Sequence, residues 1–347
     1  MKIALLNDTH YGWKNDLHIY LDFNKRFFDK VFFPYIDKHK IQVIGHLGDL
    51  FERRKYINFY TAHRARIDLL NKLRDRQLDI FIIAGNHDIY YRETNKVSAL
   101  NELLGEYDFK IFTECSEITI DGERIILVPW INRENAESTF KMIQKSKAKI
   151  CLGHLELNGF EMHRGHVQEH GTPRKVFDKF DFVASGHYHH KQSLGNIHYL
   201  GSQLQLDWSD YKDVKGFHVF DTETYQLDFI RNEHEIFKKI FYDDTKEMPS
   251  LENCSDSYIK VIVQEKTNPM LFDQFITKLQ SKGVSNLHIV EDHHNFDSID
   301  NEELLSETED TLSVFHKYID NMDNENIDKN SLKRFVTDLY TEAVNLE

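Results

Sequence analysis

Residues 180–190 read FDFVASGHYHH, a short apolar run that ends in glycine and then places three histidines in four positions. Phe180–Ala184 has the length and composition of a buried strand, and Gly186 stops it. In the extended loop that follows, residues two apart point the same way, so His187 and His189 face one site while His190 faces elsewhere. Imidazole is the commonest metal-binding side chain, so the pair points to a metal. A solvated histidine-rich loop is the bland alternative, and this segment alone does not choose between them.

The other strand ends choose. A first apolar run leads into NDTH, with Asp8 and His10; a second ends in GDLFERR, with Asp49; a third in GNHD, with Asn86, His87 and Asp88. A later run ends in GH, at His154, and the next is the quoted GHYH. Five successive strand ends carry Asp, His or Asn, most beside a glycine that lets the backbone turn sharply. In α/β folds the carboxyl ends of strands are where ligands sit.

Leaving His87 aside, the donors are two carboxylates, one amide oxygen and four imidazoles. Seven protein ligands overfill one octahedral ion, whereas two ions sharing a bridging carboxylate use the set well. Oxygen and nitrogen donors without thiolate suit Mn2+, Fe2+ or Zn2+ better than Ca2+. Two ions roughly 3.5–4 Å apart stabilise the attacking and leaving oxygens of a displacement at phosphorus.

Composition bounds the rest. The chain has 347 residues, 40% apolar and 29% charged, as expected of a globular protein with room for two domains. Cys115, Cys151 and Cys254 lie far apart with no C-x-x-C pair, which argues against a disulfide framework and a zinc ribbon and fits a reducing compartment. No signal peptide or membrane span is expected, since the opening IALL is short and runs straight to Asp8. The cytoplasm is the expected location.

The net charge of −14 is uneven. Residues 1–230 carry 31 basic and 32 acidic side chains, 231–300 carry 8 and 13, and 301–347 carry 4 and 12. Segment 53–76 is locally basic, through Arg53, Arg54, Lys55, Arg64, Arg66, Lys72, Arg74 and Arg76. Such a face tracks phosphates only beside an active site.

Apolar runs at 3–6, 43–47, 80–84, 125–128, 150–152, 182–184, 197–200 and 217–220 alternate early with helical patterns near 16–38, 59–77 and 95–104. That is an α/β core ending in a more antiparallel sheet, with DTET at 221–224 as a hairpin turn. Segment 231–290 has two strand-like runs, YIKVIV and NLHIV, around a helical pattern at 270–282. The polar stretch from 291 reads as a linker, and 303–347 as two amphipathic helices with stripes Leu305, Leu312, Phe315, Ile319 and Leu332, Phe335, Val336, Leu339. Trp130 follows a strand, with core packing the default; His163, His166 and His170 read as a polar loop, and His293 and His294 as solvated.

The series D-x-H, G-D-x-x-E-R, G-N-H-D, G-H and G-H-x-H resembles the motifs of the calcineurin-like metallophosphoesterases. NDTHYGWK resembles the opening motif of the nuclease subunit of the SbcCD family of DNA repair complexes. GHLELNGF and GFHVFDTET look most like the version in large tailed bacteriophages, the recombination endonuclease subunit. The resemblance is carried by the first 230 residues and extends to the remainder by layout.

It implies an α/β fold: a calcineurin-like β-sandwich flanked by helices over 1–230, a small α+β DNA-capping-like module over 231–290, a linker at 291–302 and C-terminal partner-binding helices at 303–347. It implies a two-metal exo- or endonuclease that works with an SbcC-type ATPase bearing a coiled coil, in the cytoplasm (the host's, if phage-encoded). One ion would take Asp8, His10, Asp49 and His189; the other Asp49, Asn86, His154 and His187. Mn2+ is the first expectation, with Mg2+ or Fe2+ as alternatives. His87 matches the catalytic histidine, on the scissile phosphate rather than on metal. Cellular members often carry histidine three residues after the bridging aspartate, where this chain has Glu52, which leaves any second histidine role in doubt. Glu52, Arg53 and Tyr11 are substrate-side candidates, with packing as the alternative for Tyr11.

A homodimer is also implied, through helices near 59–75 and 95–104. Leu69, Leu70, Leu73, Leu100, Leu103 and Leu104 are its candidate contacts, unless they pack on their own core. The competing functions are a stand-alone metallophosphatase or cyclic-nucleotide phosphodiesterase, which has no use for 117 further residues, and a non-catalytic scaffold, which would not keep a full ligand set.

Overall fold

The computed structural model describes residues 1–163 and 166–291, and the single positions Ile319, Lys329, Leu332, Lys333 and Val336. Of the side chains at 163 and 166 nothing is described. Most of the expected linker, including His293 and His294, and most of the expected C-terminal helices lie outside the described residues.

Two six-stranded sheets stack face to face. From edge to edge the first runs Leu227–Arg231, Gly216–Asp221, Lys2–Leu6, Val43–His46, Asp79–Ile83 and Lys110–Phe112. The second runs Gln192–Leu194, Ile197–Tyr199, Phe182–Gly186, Ile150–His154, Glu123–Val128 and Ser116–Ile120. The central strands of each are parallel. The last two strands of the first sheet are antiparallel and joined around the DTET turn.

Central strands of this kind are covered on both faces and so are apolar on both. In Lys2–Leu6, Ile3 and Leu5 point between the sheets, toward Leu127, Ile150, Leu152 and Phe182 of the second sheet. Ala4 and Leu6 point outward, onto Phe23, Phe27, Phe28 and Phe32 of the helical run from His18 to His39. Phe182 and Phe220 stack across the layers with centroids 4.0 Å apart, each contributing about 1.5–3 kcal/mol by burial. The outer face of the second sheet packs Ile126, Val128 and Val183 on Ile143 of helix Ala136–Lys145 and on Phe177 and Phe180. The layers are therefore helix, sheet, sheet, helix.

After Arg231 the chain builds a parallel three-stranded sheet, Phe237–Asp243, Tyr258–Glu265 and Asn286–Val290, with helix Pro269–Gln280 on one face. Its first strand was not expected: Lys238 and Lys239 break the apolar pattern of an edge strand. Asn268 caps the helix through Leu271 N–H, and Pro269 opens it.

Two expectations are corrected. Residues 94–98 form a strand, hairpin-paired with Ile89–Tyr91, and only Ala99–Leu103 is helical, capped by Ser98. The proposed dimer leucines also pack inward: Leu69, Leu70, Leu73, Leu100 and Leu104 are buried in the core beneath the first sheet, and Leu103 packs against it. The five buried leucines have no apolar area left to offer a second subunit, and Leu103 is half-buried.

Candidate metal centre

The parallel strands of both sheets end at one edge of the sandwich, and their loops converge there. Gly85 and Gly48 set how closely. A Cβ on Gly85 would lie 2.1 Å from Oδ1 of Asp49, and one on Gly48, at φ 91°, would lie 2.4 Å from Nδ1 of His154. Asp8, His10, Asp49 and His187 all have positive φ, between 41° and 90°. Each such non-glycine residue costs of order 1–3 kcal/mol, a cost typically retained at functional sites.

Two clusters of donor atoms result. In the first, His10 Nε2 lies 3.0 Å from His189 Nε2, and the two nitrogens lie 3.8 and 3.9 Å from Asp8 Oδ1. In the second, Asn86 Oδ1 lies 3.0 Å from His154 Nε2 and 2.9 Å from His187 Nδ1. Asp49 joins them: its Oδ2 is 3.3 Å from His154 Nε2 and 3.8 Å from His10 Nε2.

This spacing fits divalent ions. With bonds near 2.1 Å, neighbouring ligand atoms of an octahedral ion sit ~3 Å apart. Ring orientation agrees. His154 Nδ1 lies 2.7 Å from the Leu47 carbonyl, which only accepts, so Nδ1 carries the proton and Nε2 keeps the lone pair toward the cluster.

The charges are strongly coupled. Burial presses His10 and His154 toward neutrality, but Glu52 and Asp49 respectively outweigh it and lift both to about 9, so each draws in a second proton whose place a divalent ion would take. His187, buried and beside His154, falls to about 3. Burial works against an ionised Asp49, yet His154 and His87 hold it well below the usual carboxylate range. Asp8 moves up, through burial and the neighbouring Asp49.

Residues 1–191 match the family Calcineurin-like phosphoesterase. The chain is 32% identical over 353 residues to Exonuclease subunit 1 of Enterobacteria phage T4, covering 99% of each. The chain belongs to the calcineurin-like phosphoesterase family. It is also 24% identical to the DNA double-strand break repair protein Mre11 of Methanococcus maripaludis, over 92% of this chain and 91% of that one. With a subunit of the nuclease SbcCD from Staphylococcus epidermidis it shares 26% identity, over 65% of this chain and 67% of that one. A phosphoesterase of this family with two clusters meeting at one aspartate has a dinuclear metal site and is a metal-dependent hydrolase.

His87 sits beside the phosphoesterase centre. Its N–H donates to Asp49 Oδ1 at 2.8 Å, its Nδ1 lies 2.6 Å from the Glu52 carbonyl, and its side chain is 32% exposed. Glu52 turns its carboxylate inward to His10, with Oε2 2.6 Å from Nδ1. Arg53 is tied to Asn15, Asp16 and Tyr56. Tyr11 is corrected: at 1% exposure it lies among the core side chains, leaving no face for substrate. His190 turns away, to Asp213 at 3.0 Å. Among the described residues, His170 joins none of the donor clusters.

Three residues at the phosphoesterase site have roles that the sequence reading did not assign. Trp130 packs against the core as expected, and its ring also lies 5.0 Å from that of His187. Asn7 donates to Asp8 and to the Gly201 carbonyl. Asp88 is fully buried and accepts from the N–H groups of Asp49, Leu50, Phe51 and Gly85. Burial and the Asp49 charge raise it to about 7. The one signal was position, since each adjoins a strand end.

Proposed function

We propose that this chain is a two-metal-dependent DNA nuclease with exo- or endonucleolytic action, the nuclease subunit of a recombination or repair complex driven by an ATPase partner. The observation that carries it is the sharing of Asp49 between two donor clusters, in a chain whose full-length relative is named an exonuclease subunit. One ion is assigned to Asp8, His10, Asp49 and His189, and the other to Asp49, Asn86, His154 and His187. Mn2+ is the proposed metal.

Two bound divalent ions supply charge neutralisation for an in-line displacement at phosphorus. The protein's own groups do the rest. Asp49, anchored by the His87 N–H, keeps the clusters in register. His87 has its Nδ1 committed to the Glu52 carbonyl, so Nε2 is the atom that meets the phosphate and can hold a proton for the leaving oxygen.

Segment 303–347, of which only five single positions are described, is assigned to the ATPase on its acidity and its two apolar stripes. Its location would be the cytoplasm; among the described residues no helix is long and apolar enough to cross a membrane. A homodimer is retained on a different face: Phe59, Tyr60, His63 and Ile67 form an exposed stripe on the helical run 59–75.

The deciding experiment is Mn2+-dependent cleavage of linear duplex DNA, with and without the cognate ATPase, beside a small phosphomonoester. Faster hydrolysis of the phosphomonoester than of DNA under every condition would replace this reading with a stand-alone phosphatase. Truncation after residue 300 should abolish co-purification with the ATPase while cleavage of single-stranded DNA survives.

A further inference from the structure

Glu52, three residues after Asp49, has two contacts within the site. Its Oε2 lies 2.6 Å from His10 Nδ1 and 3.6 Å from His87 Nδ1, and its main-chain carbonyl lies 2.6 Å from that same His87 nitrogen. Oε2 and His10 Nδ1 are close without the alignment of a hydrogen bond, and neither has another hydrogen-bond partner among the described residues. The His10 side chain is 1% exposed and that of Glu52 21%, so Glu52 reaches the imidazole from the solvent side.

We propose that Glu52 is a positioning residue of the metal centre. Its carboxylate keeps the His10 proton on Nδ1 and turns Nε2 toward one ion, while its carbonyl fixes the tautomer of His87. An ionised carboxylate only accepts, so a proton between Oε2 and Nδ1 belongs to the ring. Nε2 is then the lone-pair nitrogen, and it is the one 3.0 Å from His189 and 3.8 Å from Asp8 and Asp49. A carboxylate behind a ligating imidazole raises its basicity and fixes its plane. His154 is served by a main-chain carbonyl instead, so the two ions are supported unequally. Glu52 therefore serves the metal, not the substrate.

The inference rests on the two-metal reading, and its test reads metal rather than turnover. The full chain is titrated with Mn2+ by calorimetry and followed by electron paramagnetic resonance, as wild type, Glu52→Gln and Glu52→Ala. Alanine is expected to weaken one of two ions about 10–100-fold, the ion that His189→Ala also removes, with the other within twofold. Glutamine keeps an accepting oxygen and fills the same space, so its loss should be smaller, on the same ion, and open to measurement if the alanine protein fails to fold. Unchanged affinities in the folded variants, or equal weakening of both ions, would overturn the role of Glu52 while leaving the two-metal reading intact. A wild-type protein that takes up fewer than two ions would overturn both.

Discussion

The Asp88 carboxylate accepts the backbone N–H of Asp49 at 2.8 Å. It also takes the N–H groups of Leu50, Phe51 and Gly85 at 2.9–3.2 Å. One buried side chain thus braces the loops that carry Asp49 and Asn86. Asp88→Ala strands four buried donors, each worth about 1–3 kcal/mol. The expected loss is at least about 4 kcal/mol of unfolding free energy, with loss of both ions. Urea unfolding of the metal-free protein measures the first directly. An unchanged midpoint would show that water satisfies those donors and that Asp88 braces nothing.

His87 and the donor residues should separate in kind. Asp49→Ala or His187→Ala is expected to lose bound metal together with activity. His87→Ala should keep both ions and lose about 100–10,000-fold in rate, the usual contribution of a positioned acid or base. Metal analysis or anomalous scattering on crystals of the His87 variant decides the point. A missing ion there would make His87 a ligand, which its place within 4.8 Å of His10 and Asp49 leaves sterically open.

The donors were legible in the sequence because each lies at the end of an apolar run, and parallel strands bring their ends to one edge whatever the details of packing. Asp88 was not, because its work depends on N–H groups contributed from about 37 to 39 positions away. Trp130 does pack on the core, and its approach to His187 comes from the order of strands Glu123–Val128 and Phe182–Gly186 within the second sheet, which a sequence pattern does not give. The same blindness moved the leucines of 69–73. Their stripe is apolar, and a helix pattern does not say whether its apolar face meets its own sheet or another subunit. The strand Phe237–Asp243 was hidden by adjacent lysines that an edge position tolerates.

His218 gives a pH dependence away from the metal. It is buried, its Nδ1 has no partner among the described residues, and its ring lies 5.0 Å from Phe229. Burial first, then Lys191 and His198, push it from 6.5 to about 3. As pH falls below 6.5 the unfolded chain binds a proton that the folded chain refuses. The stability contribution is therefore complete above 6.5 and drains as pH falls toward 3. His218→Leu removes the penalty, so relative to wild type it should gain up to about 2 kcal/mol between pH 7.5 and pH 5. Urea midpoints at the two pH values test this, and a constant difference would mean that His218 takes up a proton in the fold as readily as in the unfolded chain.

The last prediction separates the two faces of the helical run from Phe59 to Asp75. Its inner face, with Ala65, Leu69 and Leu70, is core, and Arg64 is pinned there by Asp68 at 2.7 Å and Asp22 at 2.9 Å. Its outer face leaves Phe59 95% and Ile67 40% exposed, two turns apart, with Tyr60 and His63 between them. An exposed phenylalanine alone needs no explanation, but an apolar stripe at helical spacing opposite a buried face is what a two-fold contact uses. In a symmetric dimer Phe59 occurs twice, and each copy contributes about 1.5–3 kcal/mol on burial. Phe59→Asp should therefore raise the dimer dissociation constant by at least about a hundredfold, leaving the unfolding midpoint of the monomer in place. Leu69→Asp, on the inner face, should instead unfold the domain. Sedimentation at micromolar concentration, with and without DNA, reads the first effect and circular dichroism the second. If wild type sediments as a monomer in both conditions, or if Phe59→Asp dimerises as wild type does, the stripe is not the interface.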